Sequence, residues 1–201
     1  MKKLFIIGLM GICFIATSCL GPSRTVKRID SESTIDLSGR WNDTDSKLVS
    51  SEMIKDVLIR EWLPVFETKY SKKPVVIVGT IRNLSSEHIN VETFVKDIEK
   101  ELINSGKVKF VASKTERTEV REERQEQQAN ASLETMKKIA QETGADFMLK
   151  GSIKTIEDEL DRKKIVFYQI DLELIDIQKN EKVWIGDKKI KKLISKKSFS
   201  W

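Results

Sequence analysis

The fold of this chain is limited first by a two-residue period of apolar side chains within residues 165–177. Apolar side chains occupy every second position: Val166, Tyr168, Ile170, Leu172 and Leu174. Because successive side chains of a strand point to opposite faces, this alternation predicts a strand with one buried and one wet face. The same period appears over residues 146–156 and 182–190, with a turn at 178–180. The chain therefore ends in a predicted three-stranded meander.

Helical spacing of apolar residues precedes the meander. A single helix is predicted over residues 47–63, where Asp45 or Ser46 can cap the start and Pro64 lies just past the end. Its buried stripe is formed by Val49, Met53, Ile54, Val57, Leu58 and Trp62.

A second helix is predicted over residues 91–104, capped by Asn90 and stopped at Asn104-Ser105-Gly106. A third covers residues 114–143, and its first half has almost no apolar face. That half is expected to project into solvent or to lie against a partner.

Pro74 opens a continuous β-branched run over residues 75–81, which is typical of a central strand covered on both faces. A polar loop is expected over 82–90, and a short strand over 108–112. The predicted order is helix, strand, helix, strand, helix and three strands. This order indicates an α/β (α+β) fold, a mixed β-sheet flanked by helices on one or both faces.

The first nineteen residues have the pattern of an exported lipoprotein. Basic residues 2–3 precede an apolar run over 4–16, which is shorter than the roughly 20 residues needed to cross a bilayer. Small residues then lead to Cys19, the lipobox arrangement in which the thiol takes a diacylglyceryl group and becomes the new N-terminus. An ordinary signal peptide cut after Ala16 or Ser18 is the alternative.

Three parts follow from these features: a lipoprotein signal peptide over residues 1–18, a lipid-anchored flexible tether over 19–34, and one folded domain over 35–201. Three acyl chains would anchor the protein firmly to a membrane. Since Leu20 follows the cysteine, we expect sorting to the periplasmic face of the outer membrane. Both cysteines lie in the first twenty residues, so the domain has no disulfide or cysteine metal site.

The search for chemistry finds no catalytic motif. His88 is the one histidine, which excludes the usual zinc sets and Cys–His pairs and favours a solvated loop histidine. Val78-Gly79-Thr80 lacks the further glycine and lysine of a phosphate loop. The 36 basic and 31 acidic residues are interspersed, which is weak evidence for nucleic-acid binding. We expect no metal, no cofactor, no nucleic-acid partner and no small-molecule substrate.

Two further features have open interpretations. A basic C-terminal end could meet anionic lipid or glycan, although such runs more often keep a terminus soluble; it contains Lys188, Lys189, Lys191, Lys192, Lys196 and Lys197. Trp41 is expected in a first edge strand, either buried or at an interface. Residues 158–161 are read as a solvated hairpin tip.

Four segments carry a family resemblance: DLSGRWNDTD at 36–45, PVVIVG at 74–79 with Asn83 and EHI at 87–89, LINSG at 102–106, and GADFMLKG at 144–151. In this order, behind a lipobox, they resemble the LpoB-type family of outer-membrane lipoprotein activators of penicillin-binding proteins. The resemblance covers residues 36–190.

The resemblance implies a fold like the N-terminal domain of TolB and a regulatory, non-enzymatic function. The anchored domain would dock on a bifunctional penicillin-binding protein, which is a peptidoglycan synthase, and stimulate glycan polymerisation and peptide cross-linking. The tether here is shorter than in the enterobacterial members. Our candidates for partner contact are Arg82, Asn83, His88 and Tyr168.

Two other function classes are alternatives to a regulatory binding protein. An envelope assembly or secretion lipoprotein of the CsgG kind uses a related α/β domain, but it adds long amphipathic segments for which this sequence has no spare pair of strands. An enzyme acting on cell-wall glycan would need paired carboxylates such as Glu157 and Asp161.

Overall fold

The computed structural model describes residues 26–31, 33–111, 116–118, 120, 122 and 144–196. The chain divides into two compact units, residues 1–33 and 34–201. In the first unit, the Ser33 hydroxyl donates a hydrogen bond to the Asp30 carbonyl at 2.6 Å. The predicted signal peptide, and nearly all of the helix predicted over 114–143, lie outside the described residues.

Two helices occupy the region where one was predicted. Helix α1 spans Asp43–Val57 and helix α2 spans Trp62–Tyr70, with a turn between them. The expectation of a single helix over residues 47–63 was therefore wrong. Pro64 lies in the first turn of α2 rather than past a helix end, a position where the backbone has no intrahelical acceptor for an N–H donor.

The cap of α1 also differs from the prediction. Asn42, rather than Asp45 or Ser46, is the N-cap residue, and its side-chain oxygen accepts a hydrogen bond from the Asp45 N–H at 3.1 Å. The Asp45 carboxylate accepts a bond from the Asn42 N–H at 3.0 Å. This reciprocal pair is a capping box, which satisfies two donors that have no partner within the helix.

Helix α3 agrees with the sequence reading. It spans Val91–Asn104, and the Asn90 side chain accepts hydrogen bonds from the backbone N–H groups of Glu92 and Thr93. The chain leaves the helix through Gly106, whose φ of +64° suits a residue without a side chain.

Within the described residues, five strands form one mixed sheet. They are β1 (Val75–Leu84), β2 (Lys109–Phe110), β3 (Phe147–Leu160), β4 (Lys163–Asp176) and β5 (Glu181–Ser195). Their spatial order is β2-β1-β3-β4-β5, in which β1 is parallel to both neighbours and the last three strands are antiparallel. The predicted mixed sheet with helices and the terminal meander are confirmed, whereas the likeness to TolB stays a prediction.

Several boundaries need correction. β1 continues to Leu84, so Arg82 and Asn83 belong to the strand and not to the loop predicted over 82–90. Within β1, Val75, Val76 and Ile81 are buried, while the other residues are partly or fully exposed. Trp41 lies in an irregular segment rather than in an edge strand, and it packs partly buried against the core.

The core lies between the inner sheet face and the helices. Every second residue of β4 from Val166 to Leu174 is at most 2% exposed, as the alternation predicted. At the start of β3, Phe147 meets the Trp62 ring of α2 with ring centroids 4.9 Å apart. Among the described residues, no helix is both long and apolar enough to cross a membrane.

Candidate partner-docking site

Exposure alternates along residues 82–88, which we call the 82–88 segment. Arg82, Leu84, Ser86 and His88 are exposed, while the three residues between them are partly buried. The strand ends at Leu84, and residues 85–87 form a bend. Arg82 and Leu84 are therefore exposed on the outer sheet face, whereas Ser86 and His88 are exposed beyond the bend.

The partly buried side chains of this segment form hydrogen bonds with one another and with its backbone. The Asn83 side-chain amide donates to the Glu87 carbonyl at 2.8 Å, and the Ser85 hydroxyl donates to Asn83 Oδ1 at 2.6 Å. The Ser85 backbone N–H also donates to Asn83 Oδ1, at 3.0 Å. These side chains mimic a backbone turn, which is a common use of Asn and Ser in loops.

Glu87 connects this segment to the rest of the fold. Its Oε1 accepts a hydrogen bond from the Tyr168 hydroxyl at 2.7 Å, and its Oε2 accepts one from the Trp41 backbone N–H at 3.1 Å. The Trp41 ring packs 5.8 Å from the Tyr168 ring and 5.9 Å from Phe94, measured between centroids. Burial of Tyr168, together with the Glu87 carboxylate, holds the pKa of its hydroxyl well above the usual value. The hydroxyl therefore stays a donor.

A second set of contacts fixes the segment against β3. The Ser86 backbone N–H donates to Thr155 Oγ1 at 3.1 Å, and the Ser86 hydroxyl donates to the Glu157 carboxylate. Lys164 lies 2.6 Å from Glu157, and this contact and the Ser86 bond lower the pKa of that carboxyl. The 82–88 segment is thus fixed from β3, β4 and the chain around Trp41.

One lysine of the predicted basic end has a structural role. Lys192 is 10% exposed and lies 2.6 Å from Asp45 and 2.7 Å from Asp36. Its ammonium also donates to the Arg40 carbonyl at 3.1 Å. The reading of Lys192 as part of a solvated basic run was wrong, since this residue ties the chain before α1 to β5.

The four predicted contact residues separate into two pairs. Arg82 and His88 are exposed, and the loop position predicted for His88 is confirmed. Asn83 and Tyr168 point inward, and Tyr168 is fully buried, so its effect on a partner would pass through Glu87. Sequence analysis noted Glu87 only within the EHI segment at 87–89 and missed its central position. Nothing in the local sequence around Glu87 or Tyr168 indicates that these two side chains form a hydrogen bond.

Arg82 and Leu84 border a shallow cleft of about 530 Å³ on the outer sheet face. Lys150 and Lys154 line the same cleft, and Lys154 forms an ion pair with Asp171 at 2.9 Å. The lining also includes Asp171 and Glu173, so three basic side chains stand beside two acidic ones and the cleft suits a polar partner surface of mixed charge. Within the described part of the chain, no group of three or more His, Cys, Asp or Glu residues could hold a metal ion.

Comparison with known families identifies the family of this chain. The family model described as "Peptidoglycan-synthase activator LpoB" matches residues 45–190, most of the folded domain. This chain belongs to the LpoB family. LpoB-family activators are non-enzymatic regulators, so the prediction that the chain is not an enzyme is confirmed at the level of the family.

Solved structures give more distant likenesses. The NMR structure of Escherichia coli LpoB is 15% identical, with a TM-score of 0.43, covering 98% of this chain and 96% of that one. The LpoB C-terminal domain from Salmonella enterica is 18% identical, with a TM-score of 0.37, covering 64% and 91%. Lipoprotein GNA1162 from Neisseria meningitidis is 14% identical, with a TM-score of 0.38, covering 60% and 83%. No curated protein matches the sequence.

Proposed function

We propose that this LpoB-family protein binds and activates a class A penicillin-binding protein through the exposed side chains of the 82–88 segment. The proposal rests on one observation: this segment exposes side chains to solvent while hydrogen bonds hold its backbone in place. Arg82 and His88 are exposed, while Glu87 between them is held by Tyr168 and Trp41. A surface that is already ordered loses little conformational entropy when it binds.

The chemistry of the 82–88 segment fits a protein partner. It presents a guanidinium, an aliphatic side chain, a hydroxyl and an imidazole within seven residues, and Leu84 is 57% exposed. Arginine is enriched in the centres of interfaces because its planar group donates several hydrogen bonds. The adjacent cleft, with three basic and two acidic side chains, offers polar contacts at the edge of this surface.

We also propose that the protein is anchored by lipid at its N-terminus. Residues 1–18 would be removed, Cys19 would be lipidated, and residues 19–34 would tether the domain to the periplasmic face of the outer membrane. About 15 residues reach roughly 50 Å when fully extended. The domain would therefore meet its synthase close to that membrane.

Site-specific photocrosslinking in intact cells tests the proposal. A photoreactive residue replaces His88 in the full chain, and a matched control replaces Val65, which is 60% exposed on α2. Mass spectrometry should recover a peptidoglycan synthase from position 88 and not from position 65. Recovery of no synthase from position 88, with the chain at its normal level, would contradict the docking proposal.

A separate experiment tests the anchor. Metabolic labelling with a palmitate analogue should mark the chain and should fail on Cys19→Ser. Labelling that persists in Cys19→Ser, or none in the unchanged chain, would contradict the proposed lipid anchor while leaving the docking result unaffected.

A further inference from the structure

One end of the sheet carries apolar side chains on its outer face. β1 stops at Leu84, which pairs with Lys154, whereas β3 continues to Leu160. The three antiparallel strands therefore extend beyond the rest of the sheet. On the outer face of this extension, Ile156, Leu160 and Leu193 are 68%, 75% and 65% exposed.

The strand register places these side chains side by side. Ile156 pairs with Phe167, which pairs with Lys191 on β5. In the next row, Ile165 lies between Asp158 and Leu193, and in the last row Leu160 faces Lys163. Directly opposed residues of antiparallel strands have Cβ atoms about 5 Å apart, which applies to Ile156 with Phe167 and to Ile165 with Leu193. Leu160 is diagonal to Ile165, at about 7 to 8 Å, so the apolar members form one patch, with Asp158 among them. We call it the hairpin-end patch; it consists of Ile156, Leu160, Ile165, Phe167 and Leu193.

The chain that leads to the tether lies at this same end. Asp36 is held 2.7 Å from Lys192, the residue immediately before Leu193. Thr34 is two residues from Asp36, so their Cα atoms are at most about 7 Å apart. Two further apolar side chains lie in this stretch, Ile35 at 41% and Leu37 at 94% exposure.

We infer that the hairpin-end patch rests on the lipid bilayer that holds the N-terminal anchor. The inference depends on the anchor of the proposed function and goes beyond it, because it gives the domain a fixed face toward the membrane. A tether of about 15 residues keeps this end within roughly 50 Å of the acylated cysteine. Lys192 points to the inner face and the patch to the outer face, so the tether joins the same end of the sheet and leaves the patch free to turn toward the bilayer.

Charge around the patch favours a bilayer surface. Lys163 and Lys191 are exposed on the outer face beside Leu160 and Phe167, where they can reach lipid phosphates. Asp158 is exposed in the row between them, so the two lysines leave an excess of one positive charge. Lysines within reach of anionic headgroups and apolar side chains at the acyl boundary are the two contributions that hold a protein at a membrane interface. Continuous exposed apolar surface on a monomer commonly marks such a contact.

Lipid quenching on the full lipidated chain tests this inference. The acylated chain is reconstituted into vesicles of phosphatidylethanolamine and phosphatidylglycerol, with one introduced cysteine carrying an environment-sensitive fluorophore. Leu193→Cys reports on the patch. Ile59→Cys is the matched control, 72% exposed and next to α2. Trp62 of α2 contacts Phe147 at the start of β3, whereas Leu160 ends that strand some 40 Å away.

We expect blue-shifted emission and quenching by brominated lipid at position 193 and neither effect at position 59. Lys191→Glu should reduce the quenching at position 193. Equal quenching at both positions, or none at 193, would overturn the inference. A blue shift at 193 that brominated lipid does not quench would also overturn it, because a protein would then cover the patch. If the chain fails to sediment with vesicles, the proposed anchor fails and this inference falls with it.

Discussion

The Tyr168 hydroxyl donates a hydrogen bond of 2.7 Å to Glu87 Oε1, joining the middle of β4 to the connection after β1. Tyr168 is fully buried, and Glu87 is the partly buried residue next to the exposed His88. The core of the domain therefore sets the position of its candidate docking segment. Removing the hydroxyl while keeping the ring separates this effect from packing.

Tyr168→Phe should destabilise the domain by about 1 to 2 kcal/mol, because a partly buried carboxylate loses one of its two donors outside the segment. Urea denaturation measures the change. Tyr70→Phe is the control, since Tyr70 is 43% exposed and should stay within about 0.5 kcal/mol of the parent. Equal stability of the two variants would show that the bond to Glu87 contributes nothing.

Gly39→Ala should be more costly than Gly106→Ala. Gly39 has a φ of +71°, and a Cβ atom there would overlap the Ile194 side chain. Strain and overlap together should cost about 2 to 4 kcal/mol. Gly106→Ala is the matched control, because Gly106 has a φ of +64° and open space around its Cβ position.

Ile194→Ala provides the second test at this position. In that background the overlap is relieved, so the cost of Gly39→Ala should fall toward the cost of Gly106→Ala. An unchanged cost would mean that the backbone conformation, and not the contact with Ile194, makes this glycine necessary.

Lys192→Met should destabilise the domain by about 3 kcal/mol near neutral pH, since it leaves Asp45 buried without its cation. Burial works against the charged lysine, but hydrogen bonds to Asp36 and Asp45 outweigh it and raise the pKa of Lys192. The hydrogen bond from Lys192 lowers the pKa of Asp36. Lys191→Met, at the exposed neighbouring position, should change stability by less than about 0.5 kcal/mol.

The pH dependence of stability follows from the lowered pKa of Asp36 and the raised pKa of Lys192. The contribution of Asp36 is present above its unfolded pKa of about 3.9 and is lost as pH falls through the lowered folded value. The contribution of Lys192 is present below its unfolded pKa of about 10.4 and is lost as pH rises through the raised folded value. The stability difference between the parent and Lys192→Met should therefore be largest from about pH 4 to 10 and shrink on either side. A difference that stays constant down to pH 2 would contradict the role of the Asp36 pair.

Arg82→Ala and His88→Ala should weaken binding to the synthase without unfolding the domain. Each truncation should cost about 1 kcal/mol of binding free energy, a roughly fivefold loss of affinity, measured by surface plasmon resonance on the purified synthase. Lys100→Ala, on the exposed side of α3, is the control and should bind as the parent does. Loss of binding in the control as well would show a general charge effect.

Local patterns were enough to predict most of the sheet and α3. Alternating apolar residues gave the faces of β4, because its inward side chains are hydrophobic. The same rule failed over the 82–88 segment, where the inward side chains are Asn83, Ser85 and Glu87. An alternation whose buried members are polar carries no hydrophobic period, so the segment resembled a loop.

The remaining differences come from contacts between distant parts of the chain. Lys192 is buried only because Asp36 and Asp45, about 150 residues earlier, surround its ammonium. The break between α1 and α2 falls at Ile59-Arg60-Glu61, where neither glycine nor proline marks a turn. The Trp62 indole N–H then donates to the Val57 carbonyl at 2.7 Å, a bond that exists only after the chain has turned.

The most direct test is the rate of glycan polymerisation by the purified class A penicillin-binding protein of the same bacterium, measured with lipid II as substrate. Added mature chain should raise the rate, and the Arg82→Ala/His88→Ala double variant, folded as judged by urea denaturation, should raise it much less. An unchanged rate with the parent chain, at concentrations that saturate binding, would contradict the proposed activation. Full activation by the double variant would instead show that the 82–88 segment is not the docking surface.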